Sequence, residues 1–112
     1  YIMTANNFNN SEIINTKEAV NYSEGSIVSR IVRKNSSGNV TLFAFDKGQV
    51  LSEHTAPYDA IVQVLDGETD ITIDGKTHRL KEGQFIIMPA NIPHGLEAAS
   101  KFKMMLTMIK GI

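Results

Sequence analysis

The sequence predicts an all-β fold, an antiparallel jelly-roll β-barrel. Three observations predict it: about nine short runs rich in β-branched and aromatic residues, turn signals between them at close intervals, and almost no apolar residues at helical spacing. At 112 residues, 42% of them apolar and 21% charged, the chain has enough material for one core and one domain.

The elements follow in order. Thr4 to Asn10 holds four asparagines around Phe8, too little apolar surface to offset the entropy of ordering it, so residues 1–11 read as a flexible N-terminal arm and 12–112 as the barrel domain. Ser26 to Val32 and Val40 to Phe45 are strands joined by the polar turn Ser36-Ser37-Gly38-Asn39, a hairpin. Asp46-Lys47-Gly48 turns into a strand over Val50 to Ala56, which Pro57 ends because proline has no N–H to donate to a ladder. Ile61 to Leu65 runs to Asp66-Gly67, and Glu68 to Ile73 runs to Asp74-Gly75. Both Asp-Gly pairs read as hairpin turns, since those residues tolerate positive φ. Thr77 to Leu80, Gln84 to Met88, Ile92 to Leu96 and Phe102 to Ile109 complete the set. The last is ambiguous with a helix by composition, and its length and position favour a closing strand.

Composition excludes several classes of function. The chain has no cysteine, so disulfides, CxxC redox chemistry and thiol nucleophiles are out, which fits a reducing cytoplasm, the expected location. Eleven basic against twelve acidic residues give no electrostatic case for nucleic acid or an anionic membrane. Tyr1-Ile2-Met3 lacks the basic and apolar regions of a secretory signal, and no apolar run reaches the length of a membrane span. No Gly-rich phosphate loop, His-Glu-x-x-His or Gly-x-Ser-x-Gly occurs. Ile61 to Leu65 and Phe85 to Met88 are apolar on both faces apart from Gln63. A small barrel covers only one face with its own core, so a homodimer is expected to cover the other.

Gly48, His54, Ala56, Ala60 and Gly67 stand at the spacing Gly-x5-His-x-His-x3-Glu-x6-Gly, and Gly83, Pro89, Asn91, His94 and Ala98 at the spacing Gly-x5-Pro-x-Gly-x2-His-x3-Asn. The two motifs, separated by 15 residues, resemble the paired signatures of the cupin superfamily across residues 48–98. The resemblance implies a single-domain cupin barrel. In metal-dependent members both histidines and the glutamate of the first signature, with the histidine of the second, bind one divalent ion such as Mn, Fe, Ni or Zn. This chain keeps two of those four, His54 and His94, with Ala56 and Ala60 in place of the others.

Strand parity sets Val50, Ser52, His54 and Ala56 on one face and Leu51, Glu53 and Thr55 on the other, and the charge of Glu53 argues that His54 faces inward. The expected ligand pocket is therefore Ser52, His54, Ala56, Ala60, Met88 and His94, with the two histidines converging across the barrel mouth, as the resemblance implies. Three readings of the pair stand open: buried structural histidines, the polar end of a small-molecule pocket, or an incomplete metal site at His54 and His94 helped by Gln63, Asp59 or Met88. A small-molecule binder is the leading reading. A metal-dependent enzyme of isomerase, dioxygenase or decarboxylase type, with His54 or His94 as general base or ligand, is the alternative. Met104, Met105 and Met108, with Met88, read as a soft core or interface cluster.

Overall fold

In a computed structural model of the chain, residues 2–6 and 8–110 are described, side chains of 2–6 excepted. The described strands are β1 (Ile2–Asn6), β2 (Ile27–Asn35), β3 (Gly38–Phe45), β4 (Val50–His54), β5 (Asp59–Asp66), β6 (Glu68–Ile73), β7 (Lys76–Lys81), β8 (Phe85–Met88), β9 (His94–Ala98) and β10 (Phe102–Ile109). They form a jelly roll of two facing sheets, one ordered β1-β2-β3-β10-β5-β8 and one ordered β4-β9-β6-β7. The run over 102–109 is a strand, inserted between β3 and β5. Only β1 pairs in parallel; the other ladders are antiparallel.

The two Asp-Gly pairs do different work. Asp74 and Gly75 both take positive φ, 50° and 80°, and close the β6–β7 hairpin as expected. Asp66-Gly67 does not make a hairpin, because β5 and β6 lie in different sheets. Gly67, at φ 72°, carries the chain from one sheet to the other past the backbone of Lys101, so close that a Cβ there would lie 2.0 Å from the Lys101 carbonyl oxygen. A sharp corner and a strand-to-strand turn need the same residues, which is why the sequence pattern does not separate them.

The main core fills the space between the sheets. Phe45 and Phe102 stack at its centre with ring centroids 4.6 Å apart, surrounded by Ile27, Val62, Val64, Ile71 and Leu80. A second cluster lies on the outer face of the larger sheet, where Ala19, Val20, Phe8 and Tyr22 pack on Leu42, Ala44, Leu65 and Met105. The N-terminal segment is thus bound along the sheet. The Arg30 guanidinium donates to the Ala19 carbonyl at 2.6 Å and sits over the Phe8 ring, the Tyr22 hydroxyl donates to Asp66 Oδ2 at 2.7 Å, and Lys103 Nζ donates to the Lys17 carbonyl. Burial, and then the Asp66 carboxylate, push the Tyr22 phenol above its usual range. Residues 2–6, expected within a loose arm, pair with β2 from Ile2 opposite Ile27 to Asn6 opposite Ile31, using the backbone groups that an edge strand leaves open. Tyr1 and Asn7 of that arm lie outside the described residues.

Candidate functional site

His54 ends β4 and His94 opens β9. These strands pair antiparallel with the two histidines directly opposite each other. Their ring centroids are 4.4 Å apart and their planes meet at 69°, an edge-to-face contact. The pair therefore meets side by side on one sheet, not across the barrel mouth as expected. His94 is buried at 6% exposure, whereas His54 is exposed.

The alternation expected along β4 does not hold. The β4–β9 register shifts between Leu51 and His54, a bulge that puts Leu51 on the core side three residues before His54 and leaves Val50 and Ser52 exposed. Gly95 makes the room. A Cβ at that position would lie 3.0 Å from the Leu51 carbonyl oxygen and 3.1 Å from the Glu53 nitrogen, so the bulged strand approaches β9 where β9 has no side chain. Ser52, expected in the pocket through its side chain, serves through its carbonyl, which accepts from His54 Nδ1 at 2.7 Å.

A cavity of about 70 Å³ opens beside the pair, lined by His54, His94, Ala56, Ala60, Leu51 and Val62 and by the methionines Met88, Met104 and Met108. Four residues of the expected pocket besides Met88 thus line one space. Asp59 and Gln63 do not join them: Asp59 Oδ1 accepts from the Ala90 N–H at 2.9 Å, and Gln63 is exposed on the outer face of β5. Leu51, Val62, Met104 and Met108 are among the lining residues outside the expected pocket. Met108 stands directly opposite Ala60 in the β10–β5 register, a pairing between strands almost fifty positions apart that no local pattern carries. A larger hollow of about 280 Å³ lies between Phe8–Ile14 and the outer sheet face, but its Arg33 is already held by Asn10 and no imidazole reaches it.

Hydrogen bonding fixes the state of the imidazoles. A backbone carbonyl only accepts, so the contacts of His54 Nδ1 to Ser52 and of His94 Nδ1 to the Ile92 carbonyl, at 3.1 Å, assign the proton to Nδ1 in both rings. In the neutral form each Nε2 then carries a lone pair. Burial lowers the His94 pKa below its ordinary value, the Ile92 contact opposes this, and the neighbouring His54 adds to the lowering. His94 is thereby held as a neutral acceptor at neutral pH.

The divalent site implied by the resemblance does not fit the side chains present. Ala56 and Ala60 line the cavity without a donor atom, and among the described residues no group of three or more His, Cys, Asp or Glu gathers anywhere. Two imidazoles without a carboxylate fall short of the three protein ligands that such centres use.

Residues 41–110 match a family model described as a cupin domain. The crystal structure of a conserved protein of unknown function from Streptococcus pyogenes aligns with a TM-score of 0.91 at 37% identity, covering 95% of this chain and 93% of that one. A cupin 2 conserved barrel domain protein from Leptotrichia buccalis is 44% identical with a TM-score of 0.82, over 84% of this chain and 46% of its own length. An uncharacterized protein of Aquifex aeolicus (strain VF5) is 27% identical over 101 residues, 88% of this chain and 84% of that protein. Among the described residues no helix is long and apolar enough to cross a membrane.

Proposed function

Since the chain belongs to the cupin family, we propose that its cavity binds a compact, largely apolar molecule bearing one hydrogen-bond donor. The observation that carries this reading is the pair of Nδ1 contacts, which leave both Nε2 atoms as acceptors beside an otherwise apolar lining. Among the described residues no fully buried side-chain nitrogen or oxygen lacks a partner, so the acceptor on His94 keeps access to the space. At about 70 Å³, against the roughly 300–1,000 Å³ of pockets that take drug-sized ligands, the cavity admits only a few heavy atoms, with more of the ligand emerging past exposed His54.

Phenol and toluene test this, because they share a shape and differ in the donor. Phenol is expected to shift the imidazole resonances of His54 and His94 and to bind roughly two- to tenfold more tightly than toluene, the 0.5–1.5 kcal/mol of one net hydrogen bond. Equal binding of the two, or no imidazole response to phenol, refutes the reading.

We also infer that a second copy of the chain covers the outer face at the β8 edge. Leu65 on the outer side of β5 is covered by the chain's own segment, yet Phe85, Ile87 and Ile109 are 65%, 52% and 53% exposed. Ile87 stands opposite Ile61 and two residues from Phe85 on the same face of β8, so these three side chains make one apolar patch at the sheet edge.

A further inference from the structure

We propose that the cavity is a site for a soft monovalent metal ion, Cu(I), held by two imidazoles and two thioethers. It rests on the reading that His54 and His94 present free Nε2 atoms to the cavity. Ala60, where the family signature has its carboxylate, is the centre of a row across the larger sheet: Met88 of β8 stands directly opposite it on one side and Met108 of β10 on the other. Direct partners of this kind have Cβ atoms about 4.5–5.5 Å apart. The methyl of Ala60 leaves the space between them open, and a methionine has three rotatable bonds with which to bring its sulfur over that methyl. Both methionines line the same cavity as His54 and His94 on the facing sheet, and Met88 is buried.

The donor set decides the metal. Imidazole nitrogen is borderline and thioether sulfur is soft, while no residue with a carboxylate or amide side chain lines the cavity. Removing the carboxylate while flanking its position with two sulfurs reverses the preference from a hard divalent ion to a soft monovalent one. The low charge of Cu(I) also suits a buried, apolar lining with no counter-charge, where a divalent ion would be the more costly to desolvate. Binding needs no electron transfer: two nitrogen and two sulfur lone pairs replace the ligands of a Cu(I) ion supplied in the reduced state.

The test is anaerobic competition for Cu(I), kept reduced with ascorbate, between the protein and bicinchoninate. The wild-type chain is expected to withdraw one equivalent. Met88→Leu and Met108→Leu, which keep volume and apolarity, are expected to weaken binding by at least roughly tenfold. Met105→Leu, on the outer face under the N-terminal segment, is expected to bind as wild type does and so controls for the chemistry of the substitution. Unchanged thermal unfolding of the leucine variants shows that they fold, and X-ray absorption showing sulfur scatterers bonded to the copper supplies a readout independent of affinity. No withdrawal of Cu(I) by a protein whose histidines still respond to phenol overturns this proposal and leaves the small-molecule reading standing. Binding unaffected by both leucine substitutions overturns it too. Failure of both phenol and Cu(I) to perturb the imidazoles overturns the two readings together.

Discussion

Replacing Gly67 by alanine strains the corner that joins the sheets, and Gly75→Ala supplies its control. Both glycines have left-handed backbone, φ 72° and 80°, so both substitutions carry the same intrinsic cost, about 1–2 kcal/mol. A less flexible unfolded chain offsets roughly 0.4–1 kcal/mol of it. Gly75 has no atom within 4 Å of an added Cβ, and its variant is expected to lose only about 1 kcal/mol. At Gly67 the Cβ would lie 2.0 Å from the Lys101 carbonyl oxygen and 2.9 Å from Ser100 Oγ. That hydroxyl accepts from the Glu68 N–H at 3.0 Å and donates to the Lys101 carbonyl at 2.9 Å, so it cannot retreat without breaking a contact. Backbone displacement of this kind costs about 1–3 kcal/mol and one lost hydrogen bond about 1 more. Gly67→Ala is therefore expected to lose about 3–5 kcal/mol in all, a large share of the stability of a domain this size. Urea unfolding of both variants reads the difference directly, as a gap between midpoints of about 1–3 M. A gap worth less than about 1 kcal/mol would show that the corner relaxes freely and that Gly67 is needed only for its φ.

Stability should depend on pH through His94. Its pKa is lowered in the folded state, by burial first and then by His54, so acid protonates the unfolded chain preferentially; the contribution is intact above the ordinary value of 6.5 and disappears as pH falls through the lowered one. Thermal unfolding between pH 8 and 5 is expected to show a fall that His94→Gln removes, and an equal slope in both proteins would rule His94 out as its source. Sedimentation at micromolar concentration is expected to give twice the 12.4 kDa chain mass, and Phe85→Lys with Ile87→Lys to return the single mass. A wild-type chain that sediments at 12.4 kDa contradicts the inferred dimer.

What the sequence revealed and what it hid divide along a physical line. Strand runs, the β2–β3 and β6–β7 hairpins and the two histidines were legible because each depends on residues close in the chain. The β4 bulge was not, since its condition lies in another strand: it forms where Gly95, more than forty residues later, leaves space for the backbone of Leu51 and Glu53. Parity carried through that bulge misplaces Ser52 and Leu51 while keeping His54 on the inner side. The outer cluster is hidden for a similar reason: Phe8, Ala19, Val20 and Tyr22 meet a sheet face that exists only once β2, β3 and β10 have paired.

The same division explains why the losses at 56 and 60 say less alone than in register. From the sequence, Ala56 and Ala60 are deletions, two donors gone from a four-donor pattern. In the fold, Ala60 is a gap of one methyl between Met88 and Met108, facing a histidine pair whose protons are committed to backbone carbonyls. A small side chain flanked by long, flexible ones leaves an opening that only they or a guest can fill. The cavity is lined by all of these residues, and His94 is held neutral at its wall. Ala56 and Ala60 thus change which guest the barrel suits: they withdraw the hard, charged donors and leave lone pairs on nitrogen and sulfur at the edge of an apolar space.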